Sequence, residues 1–280
     1  EKRYAEFIEF QIKNGTDGIV PAGCTGEAAT LNHDEQKRLM DFVVGVVDGR
    51  VEVICGTGSN STAEALALTA HAKKAGATGS LLITPYYNKP TPEGQYRHYA
   101  TIAKEVDIPI VLYNVPSRTG ISILPETVAR LSEIDNIVAI KEASGSLDQV
   151  SKIIALCDIT VLSGDDSLTL PMMGVGAEGV ISVAANIIPR DIRDMVHASL
   201  DGDAQKAKDL HYKMMPIFKA MFIETNPMPV KASMGLMGMC DSEWRLPLCE
   251  PTDKTIAALR EVLKEYGLLK SKTISKGKKR

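Results

Sequence analysis

The sequence predicts an α/β chain folded as a (β/α)8 TIM barrel, with a C-terminal helical appendage and with the first barrel strand absent from the chain. Three observations carry that expectation. Short runs rich in Val and Ile alternate with longer amphipathic stretches up to about residue 200. Most of those runs lack polar alternation, as parallel strands do when helices cover one face and packed side chains the other. Beyond residue 200 only helical patterns continue. Repeated βα units of this kind build a parallel sheet wrapped by helices.

The chain opens on an amphipathic helix, YAEFIEFQIKNG (4–15), where a βα repeat would first place a strand. Seven strand candidates follow: GIVPAG (18–23), VEVICGTG (51–58), SLLITPY (80–86), PIVLYNVP (109–116), IVAIKEAS (137–144), TVLSGDD (160–166) and GVISVAAN (179–186). Helical segments such as HDEQKRLMDFVVGVV, TAEALALTAHAKKAG and PEGQYRHYATIAKEV lie between them. Asn32 and Asn60 are candidate N-caps, and Pro92 and Pro125 stand at first-turn positions. Gly76 sits where a left-handed C-terminal residue is wanted. Pro216 should kink the first of the late helices. A barrel of this type closes with eight strands. The missing one is expected before Glu1 in a longer chain. The alternative, a gap between the outermost strands, would expose apolar edges. The expected division is therefore a barrel over 1–200, helices over 201–270 and a basic tail, SKTISKGKKR, over 271–280, which by composition should be disordered.

Composition narrows the function classes. The formal charge of −3 gives no electrostatic reason to expect nucleic acid or an anionic membrane. No apolar run is long enough to span a bilayer. The 5 cysteines are widely and irregularly spaced, without a C-x-x-C pair, which argues against zinc or a disulfide framework and for a reducing, cytoplasmic setting.

Catalytic groups of such barrels sit at the carboxyl ends of the strands. Lys141 ends the apolar run I-V-A-I-K. A lysine there either loses hydration and becomes a neutral, nucleophilic amine, or reaches solvent with its head group; the residue alone does not separate the two. Tyr113 ends P-I-V-L-Y-N and could exchange protons across the mouth, or simply pack in the upper barrel layer. Arg118, in VPSRTG, has the planar fork that suits a carboxylate, although exposed loop arginines are commoner. GCTGE (23–27) offers backbone N–H groups and a hydroxyl to a small anion, a weak signal taken singly. GTGSNS (56–61) lacks the lysine of a phosphate loop and reads as an ordinary βα turn.

Together GCTGEAATLNHDE, PYYNKPTPEG, LYNVPSRTG, IKEASG, LSGDD, GVISVAAN and NPMPVK resemble, in order and spacing, the dihydrodipicolinate synthase and N-acetylneuraminate lyase family over residues 4–267. YNVPSRTG with its arginine is similar to the synthase branch. The resemblance implies that Lys141 forms a Schiff base with pyruvate and that the enamine attacks L-aspartate-4-semialdehyde, giving 4-hydroxy-tetrahydrodipicolinate on the route to diaminopimelate and lysine. Tyr113 would relay protons, and Thr25 would hold the pyruvate carboxylate. Arg118 would bind the semialdehyde carboxylate, and Gly164 and Ile181 would line the pocket. Tyr87 would come from a neighbouring subunit of a homotetramer, a dimer of dimers. Cys24 stands where the family's proton relay usually carries a hydroxyl, so a slower relay is expected. Ala29, His33, Asn60, Glu64 and Tyr86 match a site for L-lysine as feedback inhibitor, with Gln36 where a histidine is frequent. No metal or organic cofactor is implied. Two other readings stay open: another pyruvate-dependent aldolase or lyase of the family, and a catalytically silent binder of small molecules.

Overall fold

The computed structural model describes residues 1–269; the basic tail expected over 271–280 lies outside them. The chain begins on helix α1 (Lys2–Lys13), and strand β1 (Gly18–Ile19) follows. Helix and strand then alternate: α2 (His33–Val47), β2 (Glu52–Gly56), α3 (Thr62–Ala75), β3 (Gly79–Ile83), α4 (Pro92–Glu105) and β4 (Ile110–Asn114). A single turn, α5 (Pro116–Thr119), and α6 (Pro125–Ser132) lead to β5 (Ile137–Glu142), α7 (Leu147–Leu156) and β6 (Thr160–Ser163). Short α8 (Thr169–Met173), β7 (Gly179–Val180) and α9 (Pro189–Leu200) complete the repeat. The late helices are α10 (Ala204–Ala220), α11 (Met228–Leu236) and α12 (Asp253–Glu265).

All seven strands pair in parallel and in sequence order. Each is shorter than its apolar run, which continues past the paired residues into the loop that follows. The eighth strand of the expected barrel is not among the described elements; β1 pairs only with β2, and β7 only with β6. Side chains meet across that gap. Gln11 on α1 donates to the Ala185 carbonyl (3.0 Å), Arg190 donates to Asn14 (3.3 Å) and His197 faces Asp17 (3.1 Å).

The strands alternate between an inner apolar layer and outward packing on the helices. On β4, Ile110 and Leu112 pack outward with Tyr99, Ile102, Val128 and Leu131 of the surrounding helices. Val111 and Tyr113 point inward with Leu81, Ala139 and Ile181. The period of two along a strand makes this division unavoidable. A third compartment joins α9 to α10 and α12 through Met195, Met214, Phe218, Leu259 and Leu263, so the helices beyond residue 200 pack directly on the barrel wall.

Local signals act mostly as the sequence indicates. Asn32 accepts from Glu35 N (2.9 Å) and Glu35 accepts from Asn32 N (3.0 Å), a reciprocal cap on α2. Pro92 and Pro125 open α4 and α6, and Gly76 closes α3 at φ +92°. Asn60 is not the cap of α3; Ser61, one residue on, is, and its hydroxyl accepts from Glu64 N. Pro216 lies inside α10, which continues past it to Ala220. No helix among the described residues is long and apolar enough to cross a membrane.

Candidate active site

Tyr113 and Lys141 are Cα partners in the β4–β5 ladder, so both side chains leave their strands toward the barrel interior. Lys141 Nζ stands 4.3 Å from the centre of the Tyr113 ring. Lys141 is 8% exposed and Tyr113 6%. Burial is the main reason that the Lys141 pKa falls from 10.5 to about 8; Cys24 and Asp166 favour the ammonium more weakly, and Arg118 opposes it. An appreciable fraction of neutral amine is thus present near neutral pH. The Tyr113 hydroxyl moves the other way, raised by burial and then by Cys24, so it keeps its proton. A nucleophile and a proton donor therefore lie together in one dry pocket.

Space for the lysine stem depends on the next strand. A β carbon on Gly164 would fall 2.9 Å from Lys141 Cε and 2.7 Å from the Ala143 methyl. Gly164 is held by its N–H on the Glu142 carbonyl (2.8 Å), and Ile181 by its N–H on Ser163 (2.9 Å). Both thus lie on the strand ends beside the lysine.

Two groups that can meet carboxylates converge from elsewhere. Arg118, in the turn of α5, donates through Nη2 to the Asn226 carbonyl (3.1 Å). The Thr25 hydroxyl accepts from Asn226 Nδ2 (3.1 Å). The GCTGE loop that carries Cys24 and Thr25 is a tight turn with Ala22 and Glu27 at φ +53° and +57°. It is tied to α11 by Lys231 Nζ on Glu27 Oε2 (2.7 Å). A β carbon on Gly56 would meet the Ala22 carbonyl oxygen at 2.0 Å, so β2 needs glycine where this loop crosses it. Cys24 is half-buried with a free thiol, near enough to act electrostatically on both Tyr113 and Lys141.

The structure therefore brings Lys141, Tyr113, Gly164, Ile181, Cys24, Thr25 and Arg118 to one mouth. It does not bring Tyr87 there within one chain: that side chain is 90% exposed, on a backbone at φ +68°. Of the second group, His33 Nε2 lies 3.8 Å from Glu64 Oε2, which also accepts from Ser59 Oγ (2.7 Å). The Asn60 carbonyl accepts from Asn88 (2.8 Å), beside the half-exposed Tyr86. Gln36 turns away and donates to Ala28 O (2.9 Å), in the segment that also carries Ala29. No group of three or more His, Cys, Asp or Glu side chains among the described residues is arranged to hold a metal ion.

Sequence reasoning missed Asp166 and Asn226 as individual residues. Asp166 is buried, accepts from Ala184 N (2.8 Å), and its pKa is raised by burial. Asn226 is 5% exposed and touches both candidate carboxylate binders. Its signal was an Asn-Pro-x-Pro stretch among helices, which has no part in the βα repeat.

The model of the dihydrodipicolinate synthetase family matches residues 1–266. The chain is 56% identical over 271 residues to the 4-hydroxy-tetrahydrodipicolinate synthase of Pelobacter propionicus, covering 96% of this chain and 93% of the relative. The chloride-inhibited dihydrodipicolinate synthase of Acinetobacter baumannii, solved with pyruvate, superposes with TM-score 0.94 at 42% identity, covering 96% of this chain and 93% of its own. The synthase of Cyanidioschyzon merolae with lysine bound gives TM-score 0.93 at 40% identity, covering 96% and 92% respectively.

Proposed function

The chain belongs to the dihydrodipicolinate synthetase family, and from that premise we propose how its own residues carry out the family's reaction. The reaction is a Schiff-base aldol condensation of pyruvate with L-aspartate-4-semialdehyde, giving 4-hydroxy-tetrahydrodipicolinate for lysine and diaminopimelate synthesis. The neutral Lys141 amine adds to the ketone carbon of pyruvate, and loss of water leaves an iminium. That cation makes the neighbouring methyl acidic, and removal of one of its protons gives an enamine. The enamine carbon attacks the aldehyde carbon of the second substrate, whose oxygen takes up a proton. The amino group of the same substrate then displaces Lys141 at the former ketone carbon and closes the ring.

The single observation that supports this reading is Lys141 itself, enclosed at a strand end with its pKa lowered to about 8 and packed on the ring of a protonated tyrosine. Tyr113 gives and takes the protons of these steps. Thr25 and the backbone of its loop hold the pyruvate carboxylate, Arg118 the carboxylate of the semialdehyde, and Gly164 and Ile181 bound the pocket. Cys24 occupies the relay position between Tyr113 and Tyr87. The exposed Tyr87 serves the site of a neighbouring subunit in a dimer of dimers. Borohydride reduction in the presence of pyruvate, followed by peptide mass mapping, should place a pyruvyl adduct on Lys141. A folded protein that gives no adduct would sink the proposal.

The same reading extends to regulation by L-lysine. The α-ammonium of the amino acid meets the Glu64 carboxylate, with His33, Asn60, Tyr86 and Ala29 around it. The paired His33 and Glu64 side chains and the lysine-bound relative support it. Millimolar L-lysine should lower the initial rate, and Glu64→Ala should remove that inhibition; a rate indifferent to lysine would overturn the assignment.

A further inference from the structure

We propose that Asn226 is a positioning residue which fixes the Thr25 hydroxyl as a hydrogen-bond donor toward the pyruvate carboxylate and seats Arg118 from the same residue. The inference rests on the assignment of Thr25 to that carboxylate made above. A threonine hydroxyl has one proton and two lone pairs. Here a lone pair is taken by Asn226 Nδ2 at 3.1 Å, so the proton is free to point elsewhere. An anion needs a donor. Were the amide turned to present its oxygen, the Thr25 proton would be drawn to Asn226 and only lone pairs would face the carboxylate.

Asn226 is 95% removed from solvent, being 5% exposed, and Thr25 is the only side-chain partner of its amide among the described residues. Its Oδ1 is buried and finds no donor among the described residues, an arrangement a purely structural asparagine would avoid. Its carbonyl meanwhile accepts from Arg118 Nη2 at 3.1 Å. One residue, located outside the βα repeat, thus spans both groups assigned to the two substrate carboxylates. The Lys231–Glu27 pair (2.7 Å) fastens the same two segments to each other, α11 to the GCTGE loop. The helices beyond residue 200 therefore supply orientation to the mouth of the barrel as well as packing to its wall.

The test separates orientation from filling of space. Thr25→Val should raise the KM for pyruvate about tenfold, the scale of one lost hydrogen bond to a carboxylate. Asn226→Ala should raise it several-fold with a smaller change in kcat, and should add nothing in a Thr25→Val background. Asn226→Asp should be worse than Asn226→Ala, because a carboxylate draws the Thr25 proton away from the substrate. Should Asn226→Ala not fold, Asn226→Ser carries the same comparison. If Thr25→Val raises the KM but the alanine and aspartate variants match each other, or their effect persists undiminished without Thr25, the positioning role is overturned. If Thr25→Val leaves the KM for pyruvate unchanged, the assignment of Thr25 fails and the role of Asn226 falls with it.

Discussion

Two pairs of residues sit side by side on strands β4 and β5 and meet opposite fates. Tyr113 and Lys141 face inward, and one step along each strand Asn114 and Glu142 face the helices. Both pairs contain a buried ionisable group. Glu142 is wholly enclosed, yet its carboxylate accepts from Asn114 Nδ2 (2.9 Å), Gln149 Nε2 (3.1 Å) and Ser144 N (2.7 Å). Lys141 is enclosed almost as fully, and what it meets is the face of an aromatic ring. The Glu142 carboxyl has its hydrogen bonds made; Lys141 has no such partners among the described residues, and burial lowers its pKa. One strand thus stores stability on one face and reactivity on the other, and the difference is the number of hydrogen-bond partners each face offers.

The largest effect should come from replacing the inner member. Lys141→Met removes the amine and should abolish condensation and pyruvate trapping, while raising stability by about 1 kcal/mol because an unsatisfied buried group is gone. The gain should depend on pH in one direction. With a folded-state pKa near 8 against 10.5 when exposed, the wild-type fold carries the full penalty below pH 8, and the penalty fades as pH rises toward 10.5. Urea denaturation at pH 7 and pH 10 would show the advantage of methionine shrinking. In the unaltered enzyme, kcat/KM for pyruvate should climb as pH approaches 8 from below, tracking the neutral amine. A stability difference that grew with pH would break the comparison.

The outer member should behave in reverse. Glu142→Ala leaves the buried Asn114 amide and two part-buried donors without their acceptor and should cost about 3 kcal/mol, read as a lower urea midpoint. The fraction that remains folded should keep Lys141 trappable by borohydride. Loss of trapping without loss of stability would mean that the two faces are not separable.

That contrast also marks what the sequence could reveal. The place of Tyr113 and Lys141 at the ends of PIVLYNVP and IVAIKEAS was legible because each closes an apolar run, and the carboxyl end of a strand in a βα repeat needs no tertiary information. The loops that carry the other candidate residues inherit their place from the strands. Asn226 was not legible in that way. Its contacts to Thr25 and Arg118 span 201 and 108 residues, and no local periodicity encodes a distance of that kind. The ends of the sheet were opaque for a related reason: the closure by Gln11 and Ala185 is made by single side chains. Ser61 replaced Asn60 as the cap of α3 because a cap is decided by one residue of backbone phase.

The smallest expected effect lies above the inner face, at Cys24. Its thiol is a weak donor and a weak acceptor, whereas a relay between tyrosine hydroxyls has to do both in turn. Cys24→Thr would put a hydroxyl in that place without altering the apolar layer, since Cys24 belongs to the loop above it. A gain of roughly 1 kcal/mol in one relay hydrogen bond corresponds to about a fivefold rise in kcat, with the urea midpoint nearly unchanged. The KM for pyruvate should move less than kcat, because carboxylate binding rests on the neighbouring Thr25 and relay chemistry does not alter it. An unchanged or lower kcat would show that position 24 does not limit proton transfer. It would also restrict the functional part of the inner face to the lysine, the tyrosine and the groups that hold carboxylates.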